Sequence, residues 1–338
     1  MTIRSFSNQF EVVDQTASLL KLPQTWTLLG DSGFFAEESI STQVATFQEV
    51  NGSLSIITDQ TRGTKPQTTG GDVRKLHSYS VSHHPFMDAL YPSDIAGKSA
   101  YNDLSVADTE AAAMLRKMEK AKKSFAITRE IARFRTLGTG TVWTPNGTIA
   151  ASNFYTDLGY TRKEVDFVLQ TATTDVIAKC EEIIASFQAN ANEGEVITRV
   201  TGYASPVFFA RLVAHAKVTQ THIYQQIGQN NITQERAGGM GLYRKLSFGN
   251  INFIEVPTVL AGTALVTSGD CVFVAEGTES AVTFYAPANR FGHVGTMGQA
   301  EYLWSFADPR QTEITIEGEM NMLSVLKKPQ FVARGFTA

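Results

Sequence analysis

Cysteine is nearly absent from this chain: Cys180 and Cys271 are the only two in 338 residues, each in an apolar context and without C-x-x-C spacing. That excludes a disulfide framework and a zinc knuckle as the basis of the fold, and reduced, cytoplasmic folding is the simpler expectation. A cationic excess is missing too. Lys and Arg total 29 against 33 Asp and Glu, a formal net charge of -4 at pH 7, whereas dedicated nucleic-acid binders displace counterions with surplus positive charge. A weak or one-sided DNA contact survives that argument. No stretch approaches the roughly 18 uninterrupted apolar residues of a membrane span. Residues 1–15 lack the basic region and apolar run of a signal peptide. No membrane partner is expected.

Catalytic patterns are equally scarce. Gly238, Gly239 and Gly241 make a Gly-rich stretch, but no Gly-Lys-Ser/Thr follows it and no G-x-G-x-x-G or G-x-S-x-G occurs, so a flexible turn is the expectation there. His83 and His84 suggest a metal until geometry is considered: adjacent residues of an extended strand point to opposite faces, and Pro85 ends the pattern. The other histidines, His77, His215, His222 and His293, have no H-x-x-x-H spacing. The expected lists of catalytic residues, metal ligands and cofactors are therefore empty. A hydrolase using His83 or His84 stays as a competing reading, to be revived by loss of a measured activity on changing either to Ala.

What is present is a globular composition, 43% hydrophobic and 18% charged, enough for one large core or two medium ones. Residues 1–41 read as an extended arm with little core of its own. Residues 42–50 and 53–58 are β-rich around Asn51-Gly52, a strong two-residue hairpin signal. Residues 60–72 form a polar loop that, with its flank, is basic through Arg62, Lys65, Arg74 and Lys75, and the chain returns through a strand at 76–81. After a turn at 91–97 comes the clearest element, a single long helix over 105–137. Ser105 caps it with Asp108 as partner, Gly138 and Gly140 stop it, and neither Pro nor Gly interrupts it.

Met114, Met118, Ala121, Phe125, Ile131 and Phe134 give that helix an apolar stripe, while Arg116, Lys117, Lys120, Lys122, Lys123, Arg129, Arg133 and Arg135 make its other face basic. A solvated face and a face toward nucleic acid are equally open. Pro145, Asn146 and Gly147 join a second hairpin, 141–144 with 148–152. A helix at 174–189, a strand at 196–200 and a helix from Ser205 suggest a compact α/β unit. Strands follow at 251–256, 264–266, 271–275, around 314–316 and around 331–333. The fold class is α+β.

This order of arm, long hairpin loop, single long helix, second hairpin, α/β unit and returning strands resembles the phage lambda major head protein family, tailed-phage major capsid proteins with the Hong Kong ninety-seven-type capsid fold. Local strings agree: Thr61-Arg62-Gly63-Thr64-Lys65-Pro66 with Arg74, Pro85 and the 91–97 turn, then Phe284-Tyr285-Ala286-Pro287-Ala288 and Asp308-Pro309-Arg310 before a strand. The resemblance implies an N-terminal arm (1–41), an extended β-hairpin loop (42–85), a peripheral domain (86–165) with spine helix 105–137, an axial domain (166–297) and return strands of the peripheral domain (298–338).

It also implies a subunit without catalysis that forms hexamers and pentamers of an icosahedral, virion head, assembled in the host cytoplasm around double-stranded DNA. Portal protein and a separate scaffolding protein are implied partners, because residues 1–41 are too short and too poorly helical for an attached scaffold; a decoration protein has room outside. Inter-subunit contacts fall to Arg62, Lys65, Arg74 and Lys75, a DNA-facing helix surface to Lys120, Lys122 and Lys123. Lys65 and Lys75 lie where some relatives crosslink, but no partner side chain is identifiable and no crosslink is expected. An encapsulin-like nanocompartment shell is the alternative within the same fold, distinguished by copurifying cargo protein in place of genomic DNA.

Overall fold

A computed structural model of the chain describes residues 13–21, 27–51, 73–96, 99–100, 103–107, 109–144, 146, 152–191, 195–225, 244–310 and 312–337. The chain enters through β1 (Val13–Asp14), α1 (Thr16–Lys21), α2 (Leu28–Ser32) and β2 (Phe35–Ser39). β3 (Val44–Asn51) and β4 (Val73–Ser80) then pair antiparallel, Val44 opposite Ser80 and Asn51 opposite Val73. Asn51 is thus a paired strand residue and does not open a two-residue turn; the expected strand at 53–58, with Arg62 and Lys65, lies outside the described residues. The return strand expected at 76–81 is present and starts earlier.

β5 (Ser82–Leu90) follows, with Pro85 paired opposite Glu319. Proline at this position cannot donate to a ladder. It is tolerated here because β5 pairs with one neighbour only among the described residues, and edge strands can spare that donor. β6 (Ser99–Ala100) and β7 (Asp103–Ala107) make a small hairpin.

The long helix is α3 (Glu110–Thr139), 30 residues or about 45 Å at 1.5 Å per residue. It begins later than expected. Ser105 is committed to β7, and the cap is Thr109, whose hydroxyl accepts the Ala112 N–H at 3.2 Å. The other end is as expected: Gly140 takes a left-handed φ of 69° and closes the helix. Arg162 adds hydrogen bonds to the last carbonyls, Gly138 at 2.6 Å and Leu137 at 3.3 Å. Of the second hairpin, Thr141 opposite Asn153 is a single bridge; residues 147–151 lie outside the description.

α4 (Phe154–Asp157) and β8 (Lys163–Asp166) lead to α5 (Val176–Asn190), capped by Asp175, then β9 (Arg199–Ala204) and α6 (Pro206–Ala214), capped by Ser205 with proline in its first turn. α7 (Ala216–Gln225), β10 (Lys245–Phe248), β11 (Ile251–Glu255), β12 (Val259–Leu260), β13 (Thr263–Ala264) and β14 (Asp270–Glu276) follow. The chain closes with β15 (Ala281–Tyr285), β16 (Tyr302–Ala307), β17 (Ile314–Leu326) and β18 (Val332–Phe336).

Two sheets organise these strands. In the first, β17 is the centre: β5 runs along it from Leu90 opposite Ile314 to Ser82 opposite Met322, β16 pairs with residues 314–319 and β15 with residues 322–326. β2 adds to β15 in parallel, and β1 to β16. The second sheet has the order β10-β11-β9-β14-β18-β8. β15, from within 166–297, lies in the first sheet, and β18, from within 298–338, lies in the second.

α3 packs on one face of the first sheet, where Met118 and Phe125 meet Leu303, Ile316 and Met320. Each such buried side chain contributes about 1.5–3 kcal/mol. Gly318 lets the helix approach, since a Cβ there would stand 3.0 Å from the Phe125 ring. α5 and α6 cover the second sheet through Phe187, Phe208, Phe253 and Phe273, and both cysteines are buried thiols in that core. A shared core joins the sheets, with Phe134 edge-on to Tyr203 at 5.7 Å.

Candidate assembly surfaces

The β3–β4 hairpin is anchored at its root. Tyr79 is buried, meets Phe154 edge-to-face at 5.3 Å and donates to Asp157 Oδ2 at 3.2 Å, while Phe47 stacks on Tyr79. Away from the root the arm exposes its side chains. Arg74 and Lys75 are exposed strand residues opposite Val50 and Glu49, and as neighbours they point to opposite faces. Leu76 is 67% exposed on the same strand. An apolar side chain on a projecting ladder has no core of its own to enter.

The basic face of α3 is not one surface. Lys117 and Lys120 both reach Asp88 of β5, at 2.8 and 2.9 Å. Burial alone would raise the Asp88 carboxyl, but the hydrogen bonds from Lys117, Lys120 and the Ala89 N–H outweigh it and bring it down to about 2. Lys122 is buried and donates to the Leu19 carbonyl at 3.0 Å; it does not share a face with Lys120 and Lys123, which are exposed.

Further along, Arg129 pairs with Glu301, and Arg133 pairs with Glu37 at 2.7 Å and donates to Thr283 at 3.1 Å. Glu130 accepts the Leu29 N–H at 2.8 Å. Burial pushes the Glu130 carboxyl up, opposed by that N–H and by Arg133. Much of the charge of α3 therefore fastens the helix to α1, α2 and the first sheet. The acidic partners lie far away in sequence, so no local pattern announces them.

His83 and His84 do point apart. His84 is stacked on Trp143 at 5.8 Å on the helix side, in an open groove of about 400 Å³ that also includes Phe86, Phe125 and Thr128. His83 Nδ1 lies 2.7 Å from Asn321 Oδ1 on the other face. Ser82 sits 3.1 Å from His84 Nε2 but donates its own proton to the Met322 carbonyl at 2.6 Å, so that histidine receives no nucleophile's proton. Among the described residues no group of three His, Cys, Asp or Glu side chains could hold a metal ion, and no helix is long and apolar enough to cross a membrane.

Solved phage shells share this fold by superposition. The PhiM1 mature capsid subunit superposes with a TM-score of 0.56 at 13% identity over 94% of this chain and 89% of that one. The capsid subunit of cyanophage P-SCSP1u gives 0.55 at 11% identity over 100% and 93%. These define the class, the phage capsid subunit fold. Sequence narrows it. The major capsid protein of Pseudomonas phage KPP10 is 33% identical over 99% of both chains, and that of Salmonella phage Felix O1 is 22% identical over 98% of this chain and 97% of its own. The model for phage major capsid protein E matches residues 11–337. The chain belongs to the phage major capsid protein E family and is the major capsid protein of a tailed phage.

Proposed function

We propose that copies of this chain close, as hexamers and pentamers, into an icosahedral head around double-stranded DNA, assembling in the host cytoplasm and performing no catalysis. The observation that carries this reading is the exposed β3–β4 ladder rooted beside α3. Among the described residues of that ladder Arg74, Lys75 and Leu76 are exposed, and another copy lying beneath the arm would cover them. Heterologous contacts of this kind close by rotation into rings, and many modest contacts per copy add up through multivalency. Arg74 and Lys75, with Arg62 and Lys65, supply the charged contacts of that arm.

Portal protein, a separate scaffolding protein and, outside, a decoration protein complete the expected partners. A DNA contact falls to Lys120 and Lys123, the two exposed members of the lysine set; Lys122 supports the fold. Microscopy of the purified chain, alone and with its neighbouring gene products, tests the assembly: closed shells or rings of five and six are expected, and a monomer under every condition refutes it. Replacing Lys120 and Lys123 with Gln while keeping Lys122 tests the DNA contact, which unchanged packaging in normal heads would exclude.

A further inference from the structure

The tip of the loop between β15 and β16 turns three large apolar side chains outward while Arg290 and His293 lie against the sheet. Arg290 lies over the Trp304 ring at 4.0 Å and pairs with Glu317, and His293 meets Tyr302 and Trp304 at 5.1 and 5.8 Å. Phe291, Val294 and Met297 are left 100%, 76% and 60% exposed. The loop is also pinned at both ends. Glu319 accepts the Asn289 N–H at 2.6 Å, Asn321 donates to the Pro287 carbonyl at 2.9 Å, and the Gly298 and Gln299 N–H groups reach Ile40 O and Tyr302 Oη at 2.9 and 2.8 Å. A held loop loses little further entropy on binding, and residues 291–300 carry no acid, Lys or Arg.

Register says what the loop overhangs. Tyr302 and Trp304 stand opposite Glu319 and Glu317 of β17, which stand opposite Pro85 and Met87 of β5. Cross-strand partners share a face, so all lie on the side of the sheet away from α3. The loop covers the β16 half of that face. The β5 half is bare, with Met87 71% exposed and Pro85 exposed.

We infer that the Phe291–Val294–Met297 tip of one copy seats on Pro85 and Met87 of the next, the β1–β16 side of one sheet beside the β5 side of the other. This rests on the shell-forming reading above, and a second copy is the occupant that reading guarantees. Each subunit carries a projecting patch at one edge of its sheet and a bare apolar patch at the other, on one face. Side-by-side packing with that face in common lays the first over the second, and a heterologous contact of this kind closes by rotation.

The test is assembly of the full chain as wild type, Phe291→Ser, Met87→Ser and the double variant, with benzophenylalanine placed at position 291 in a separate sample. Both singles should melt like wild type and raise the concentration needed for shells about tenfold or more. The double should be little worse than the worse single. Irradiated shells should yield a dimer of this chain joined through the tryptic peptide 76–98. Equal assembly thresholds, a crosslink to any other peptide or protein, or no crosslink overturns the inference. Failure of the wild type to form shells refutes the shell reading itself and is told apart by that control.

Discussion

Replacing Glu37 by Ala strands one member of an unequally buried pair. The Arg133 side chain is 3% exposed, that of Glu37 53%. Burial alone would raise the Glu37 carboxyl, but hydrogen bonding and charge from Arg133, the Arg129 charge and the Tyr285 hydroxyl outweigh it and hold it below its ordinary value. Removing Glu37 leaves a guanidinium in the core with the Thr283 hydroxyl and nearby Glu130 for support. Breaking a buried pair costs on the order of 3–5 kcal/mol, and those remaining partners bring the expectation down to about 2–3 kcal/mol. Arg133→Met differs: the half-exposed Glu37 rehydrates, a flexible side chain still covers the Phe35 ring on which the guanidinium lay at 5.4 Å, and the loss is about 1 kcal/mol for the hydrogen bonds.

The double variant should therefore be close to Arg133→Met, since its partner charge is already gone. Urea unfolding of the unassembled chain, followed by tryptophan fluorescence, reads all four proteins. With a slope of about 3 kcal/mol/M, Glu37→Ala should move the midpoint down by roughly 0.8 M. An Arg133→Met loss equal to or larger than that of Glu37→Ala, or additive losses in the double variant, would refute the burial argument.

Capping gives a second expectation: Thr109→Ala should cost about 1 kcal/mol in the same urea titration and Ser105→Ala much less, and the reverse order would move the helix start back to Ser105. Burial, aided by the His83 charge, pushes the His84 ring down to about 4. Its folded value lies below its unfolded one, so the neutral ring's stability is present above the ordinary value of 6.5 and is lost as pH falls toward 4. Wild type should lose its advantage over His84→Phe across that window, and a pH-independent difference would count against the neutral buried ring. Asp88, also depressed, contributes stability above its ordinary 3.8 that is lost as pH falls toward 2. The midpoint gap between wild type and Asp88→Asn should shrink over that range; a gap that persists at pH 2 would exclude the Lys117–Asp88–Lys120 arrangement as its source.

The capsid-subunit class is legible in the sequence because its clearest signals are local. The α3 stripe, the Gly140 stop and the helix start at Ser205 act within a turn or two of the chain, so sequence alone determined them, together with the order of elements and the α+β class. What tertiary structure alone decided is non-local. β17 is buried along nearly its whole length, so it shows no alternation and was visible only as a short strand around 314–316. The place of Pro85 on an edge strand depends on β17, some 230 residues away.

The lysines and arginines of α3 looked like one basic surface because helical periodicity records which residues share a side but not what lies against it. Asp88 and Glu37 come from separate strands and Glu301 from the residue before β16, and their arrival divides that side into buried pairs and a few exposed charges. The exposed Phe291 and Met87 reversed the usual sense of a loop and of a strand face for the same reason. A side chain's burial is a property of the assembled sheet, fixed only when strands distant in sequence close upon one another.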